Sequence, residues 1–125
     1  MELKLKRATE PPAKSDGARV LVDRLWPRGI SKERLKLDEW LKQIAPSTAL
    51  RKWFNHDPEK WNGFRERYAK ELDANPEAVK ALQDLLREHG TVTLIFDARD
   101  TQHNDAVVLQ QYMRRRMPRS RSKSS

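Results

Sequence analysis

The chain has 125 residues, enough for one domain with a single hydrophobic core and too few for two. It has no cysteine, which excludes disulfide scaffolds, thiolate metal sites and cysteine nucleophiles, and suits a reducing compartment. The net charge is +8, but six of those positive charges (Arg114, Arg115, Arg116, Arg119, Arg121 and Lys123) lie in residues 114–125 without a single acid, leaving +2 for the rest. The basic character therefore belongs to the C-terminal segment and not to the fold.

No apolar run approaches the roughly 18 consecutive residues that a membrane-spanning helix requires, and no secretory signal pattern is visible at the start. A cytoplasmic location with no membrane partner is expected.

Leu3 and Leu5 alternate with Lys4, Lys6 and Arg7, the pattern of a short strand with one wet face near a sheet edge. Pro11-Pro12 ends it. After the turn signal Asp16-Gly17, the stretch Arg19 to Leu25 carries Val20, Leu21 and Val22 in succession, the mark of a strand covered on both faces. Pro27 and Gly29 then stop the strand.

From Ser31 to Gly90 the pattern is helical. Asp38 is expected to cap a short helix through Trp40, Leu41 and Ile44, and Ser47 to cap the next, with Leu50, Trp53 and Phe54. Asp57-Pro58 starts a third, whose Trp61, Phe64, Tyr68 and Leu72 form one apolar stripe. Asn75-Pro76 starts a fourth, carrying Val79, Leu82, Leu85 and Leu86 and ending at His89 with Gly90 as a left-handed stop. Thr91 to Phe96 reads as the second buried strand. A last helix follows, with Ala106, Val107, Leu109, Gln110 and Met113 at helical spacing and Asp100 or Thr101 as its cap.

The expected fold is α/β: one small domain over residues 1–113 with a short, mostly parallel sheet of about three strands flanked by helices, and a multi-helix insertion between the two buried strands. Residues 114–125 are expected to form a disordered basic tail, because a segment with no apolar residue after Met117 cannot offset its ordering entropy.

In open parallel sheets ligands bind outside the carboxyl ends of the strands. Here both buried strands release charge at that end. One supplies Asp23, Arg24, Trp26 and Arg28, and the other supplies Asp97, Arg99, Asp100, His103 and Asn104, next to a helix N-terminus that favours anions. Arg24, Arg28 and Arg99 are candidates to hold a small anionic ligand, a nucleotide or another phosphate or carboxylate compound, with Arg51 as a further arm and Trp26 and Asn104 lining the site. His103 is the candidate acid-base group, oriented by Asp100 or Asp23. Whether any reaction occurs stays open.

No cofactor is expected: the chain's four glycines form neither a phosphate loop nor a dinucleotide fingerprint, and there is no nucleophile elbow. No metal is expected either, because the three histidines lack a paired spacing. The alternative function is a non-catalytic module that binds nucleic acid or a protein partner through Arg114, Arg115, Arg116, Arg119, Arg121 and Lys123.

Several long strings match a known pattern. Asp16 to Gly29, then Trp40 to Ser47, Leu50 to Phe54, His56 to Trp61 and Arg99 to Asn104 together resemble the YeaO-like family, a domain of unknown function. The resemblance covers nearly all of residues 1–113 and implies a small bacterial cytosolic α/β protein with no agreed activity. Phe96 stands where the pattern implies a tyrosine, and Asp97 where it implies a small residue.

Overall fold

Four strands, all paired in parallel, run in the order β1-β4-β2-β3 in the computed structural model, which describes residues 1–116. In chain order the elements are β1 (Glu2–Arg7), β2 (Ala18–Leu21), α1 (Lys32–Leu35), β3 (Glu39–Trp40), α2 (Thr48–Phe54), α3 (Trp61–Asp73), α4 (Pro76–His89), β4 (Thr91–Phe96) and α5 (Asp105–Arg116). The α/β class, the edge position of β1 and the helical insertion between β2 and β4 are as the sequence implies.

The sheet has one strand more than expected. Asp38 caps no helix: its carboxylate accepts the Arg19 N–H at 2.8 Å, and its own N–H donates to the Arg19 carbonyl at 2.8 Å. Those two bonds align Glu39 and Trp40 beside Val20 and Leu21 as β3, and only a 3-10 turn at Lys42–Ile44 follows. A two-residue strand has too little periodicity to be told from the start of a helix.

Alternation along the strands divides the core between the two faces of the sheet. Leu3, Val20, Val22, Val92, Leu94 and Phe96 belong to the main cluster, with the apolar stripes of α3, α4 and α5 packed against them. Leu21 and Ile95 point the other way, to a smaller cluster with Ile30 and Leu35 that is flanked by Trp26 and Trp40.

That thinner face also buries charge. Arg19 and Asp16 are only 4% and 3% exposed. The Asp16 carboxylate receives Arg19 Nη1 at 2.6 Å, Lys6 Nζ at 2.8 Å and the Ala13 N–H at 3.0 Å, while Arg19 also donates twice to the Leu35 carbonyl, at 2.9 and 2.7 Å. Gly17 follows with φ +64°, where a β-carbon would collide with the Thr91 carbonyl, so only glycine lets the chain enter β2 at this point.

Candidate functional site

Because β2 and β4 are parallel neighbours, with Leu21 in register with Ile95, they end together. Asp23 and Asp97 emerge side by side, and the Asp97 N–H donates to the Asp23 carboxylate at 2.9 Å. Asp105, the first residue of α5, brings a second carboxyl to Asp23.

Burial pushes the Asp105 carboxyl well above the ordinary carboxylate range, and the neighbouring Asp23 charge adds to this. Burial also raises Asp23, as does the charge of Asp97. Hydrogen bonds from Asp105 and the Asp97 amide, and the charge of Arg51, pull it partly back. Two carboxyls this close oppose joint ionisation, so their surroundings favour a shared proton, with Asp105 the member raised further. Beneath them the buried Tyr68 hydroxyl donates to the Ile44 carbonyl at 2.6 Å. Its own pKa is driven up by burial first and then by the charges of Asp105, Asp23 and Glu71, with Arg24 opposing them. These side chains therefore share one electrostatic neighbourhood.

Arg24 is the least satisfied member. Its Nη2 reaches the Pro46 carbonyl only at 3.4 Å, and its buried Nε has no acceptor among the described residues. Such a donor costs about 1–3 kcal/mol. Glu71, by contrast, is fully engaged: it receives the Ser47 N–H at 2.8 Å and the Ser47 hydroxyl at 2.6 Å. The Ser47 hydroxyl in turn accepts the Leu50 N–H at 3.1 Å, the expected cap of α2.

Asp100 and His103 do form a pair, with Asp100 Oδ2 2.9 Å from His103 Nδ1. The Asp100 carboxylate also accepts the Gln102 and His103 N–H groups, at 2.9 and 3.0 Å. The Gln102 bond does most to hold its pKa below the usual value, followed by burial, which opposes it, and by the bonds and charge of His103, which lower it further. The histidine ring stands edge-on to Trp61, at 5.1 Å and 87°.

The cap of α5 is neither Asp100 nor Thr101, because the Asp100 carboxylate is occupied by its own turn. Asn104 takes that place: its Oδ1 accepts the Val107 N–H at 3.1 Å and its Nδ2 donates to the Asp100 carbonyl at 2.8 Å. Both ends of this buried amide therefore serve the fold.

The remaining expected site residues separate. Trp26 lies on the opposite face of the sheet from Trp61 and His103. Its Nε1 donates to the Ile30 carbonyl at 2.6 Å, and its ring meets Trp40 edge to face at 5.4 Å. Arg28, Arg51 and Arg99 are exposed, and their side chains form no hydrogen bond or ion pair among the described residues, although the charge of Arg51 reaches Asp23. Arg114, Arg115 and Arg116 form the last turn of α5, and Arg116 pairs with Asp73 at 3.0 Å. Arg119, Arg121 and Lys123 lie outside the described residues. Among the described residues, no three His, Cys, Asp or Glu side chains converge as a metal site.

Sequence reasoning missed Asp105 and Tyr68. Asp105 stands just before the apolar stripe of the last helix, and its position in the first turn was the available signal. Tyr68 is hidden by its place in an apolar stripe.

A family model described as the inactive DUF488-N3 subclade matches residues 2–125. The chain is 45% identical over 114 residues to the uncharacterized protein YeaO of Escherichia coli (strain K12), covering 91% of this chain and 98% of the relative. It is 37% identical over 111 residues to the uncharacterized protein Rv3073c of Mycobacterium tuberculosis (strain ATCC 25618 / H37Rv), covering 89% and 92%. No solved structure matches.

Proposed function

The chain belongs to the YeaO-like domain family, in the DUF488-N3 subclade, and from that premise we propose that it binds a small anionic ligand where β2 and β4 end, without turning it over. The observation that carries this reading is the buried Arg24 Nε with no acceptor among the described residues, in the neighbourhood of a carboxyl pair whose pKa values are raised by burial. A phosphate or carboxylate oxygen would satisfy the guanidinium, and Arg51 would add charge from the rim.

Binding without turnover agrees with the subclade's description as inactive. Acid-base chemistry, were there any, would fall to His103, the one imidazole oriented by a carboxylate. A cytoplasmic location fits the absence of cysteine.

An anion placed against Asp23 and Asp105 favours full protonation of the pair, so affinity should rise as pH falls. The test is a thermal-shift screen of the full chain against inorganic phosphate, nucleotides, sugar phosphates and small carboxylates. A ligand present at 100 times its Kd adds about 2.7 kcal/mol of stability. The expected result is a stabilising ligand whose effect is lost in Arg24→Gln and grows towards acid pH. No shift across the panel, or an equal shift in Arg24→Gln, would overturn the reading.

A further inference from the structure

We infer that the groove between α3 and α5, far from the strand-end carboxyls in its chemistry, is a docking surface for a nucleic-acid strand. The groove encloses about 370 Å³ and is lined by Arg65, Asn62 and Glu66 from α3 and by Arg115, Gln111 and Tyr112 from α5. Successive helical residues project about 100° apart, so the three consecutive arginines that end α5 go three ways. Arg114 turns towards β1, its Nη2 3.5 Å from the Leu3 carbonyl, and Arg116 lies over the Tyr112 ring at 3.6 Å and pairs with Asp73. Arg115 lines the groove, as does Arg65.

Among the described residues neither Arg65 nor Arg115 has an ion pair or a side-chain hydrogen bond, and Glu66 forms no ion pair with either. Two guanidiniums lining one groove against the single carboxylate of Glu66 leave it net positive, a surface that favours an anion. The side-chain amides of Asn62 and Gln111 beside them provide donors and acceptors for sugars or bases.

The sequence beyond the groove identifies the polymer. Three more cations, Arg119, Arg121 and Lys123, follow Arg115 within eight residues with no acid between them, so the positive charge continues past anything a single phosphate would use. No apolar residue follows Met117 to anchor a folded protein partner, whose interface would need an apolar core. Counterion release from a phosphate backbone needs none.

The test is fluorescence anisotropy of labelled oligothymidylate against the full chain across a salt series. Wild type should bind with a steep salt dependence. In Arg65→Gln/Arg115→Gln the slope of log K against log salt should fall by about 1.4, the value for two single-strand phosphate contacts. Full-length Arg119→Gln/Arg121→Gln/Lys123→Gln should bind more weakly yet still respond to the Arg65→Gln/Arg115→Gln change. Three outcomes overturn the inference: no binding by wild type, an unchanged slope in the groove variant, or displacement of the oligonucleotide by polyglutamate as readily as by unlabelled oligothymidylate. The last would assign the groove to an acidic protein. Both groove positions are in helices where Gln is nearly as favourable as Arg, so folding is preserved and is verified by circular dichroism.

Discussion

Replacing Asp16 by alanine is expected to lower stability by about 3–5 kcal/mol, the usual cost of removing one partner from a buried ion pair. Among the described residues the carboxylate is the only counter-charge that Arg19 touches and the acceptor for Lys6 as well, and the Arg19–Asp16 pair is almost fully enclosed. Without it the guanidinium keeps only the Leu35 carbonyl. Removing both charges costs less than the sum of the single changes, because the larger part of each loss is the stranded partner. Asp16→Ala/Arg19→Met should therefore recover part of the stability lost in Asp16→Ala. Denaturant unfolding of wild type and the two variants measures this, and a loss within about 1 kcal/mol for Asp16→Ala would mean that water relieves the site. The sign with pH is fixed by the direction of the shift. Burial, the largest influence, raises the Asp16 pKa, but the bonds from Lys6, Ala13 and Arg19 outweigh it and hold it below the ordinary value. Its stabilisation is complete above the unfolded pKa, near 3.9, and disappears as pH falls through the lower folded value.

That network was invisible in the sequence, where Asp16-Gly17 reads as a turn. Turn chemistry is local, whereas the charged partners of Asp16 come from β1 and β2, as Lys6 and Arg19. What was legible was whatever a single element declares about itself. Asn75-Pro76 and Gly90 bound α4 as expected, with Gly90 at φ +77°, and the Val20–Val22 run announced a strand buried on both sides. The candidate site was half legible. The rule that parallel strands gather charge at their carboxyl ends found Asp23, Arg24 and the Asp100–His103 pair. It could not tell which side of the sheet each side chain would take, so Trp26 was grouped with His103 although the sheet separates them. Nor could it show that Asp105 would turn its carboxyl onto Asp23, since that depends on Asn104 capping α5 one residue earlier.

The Asp105→Asn protein is expected to be more stable than wild type at pH 8 and nearly equal to it at about pH 4, near the unfolded pKa of a carboxyl. Both Asp105 and Asp23 have folded pKa values above their unfolded ones, with burial the main cause. A group shifted in that direction contributes stability that is complete below the unfolded pKa and is lost as pH rises through the folded value, because the native state binds more protons over that interval. Each unit of upward shift is about 1.4 kcal/mol of stability forgone at higher pH. The amide introduced by Asp105→Asn still donates to the Asp23 carboxylate, so the substitution removes the titration while keeping the hydrogen bond that holds α5 against the end of β2. Thermal melts of both proteins between pH 4 and pH 8 read the result directly: the curves should diverge as pH rises, and parallel curves would show that the pair titrates as ordinary solvated carboxylates. Asp16 acts in the opposite sense, since its contribution is lost towards acid. The two opposing slopes draw the wild-type stability maximum towards the acid side of the interval usual for proteins. In Asp105→Asn the maximum should move towards neutrality, because only the acid-side loss from Asp16 remains at full strength.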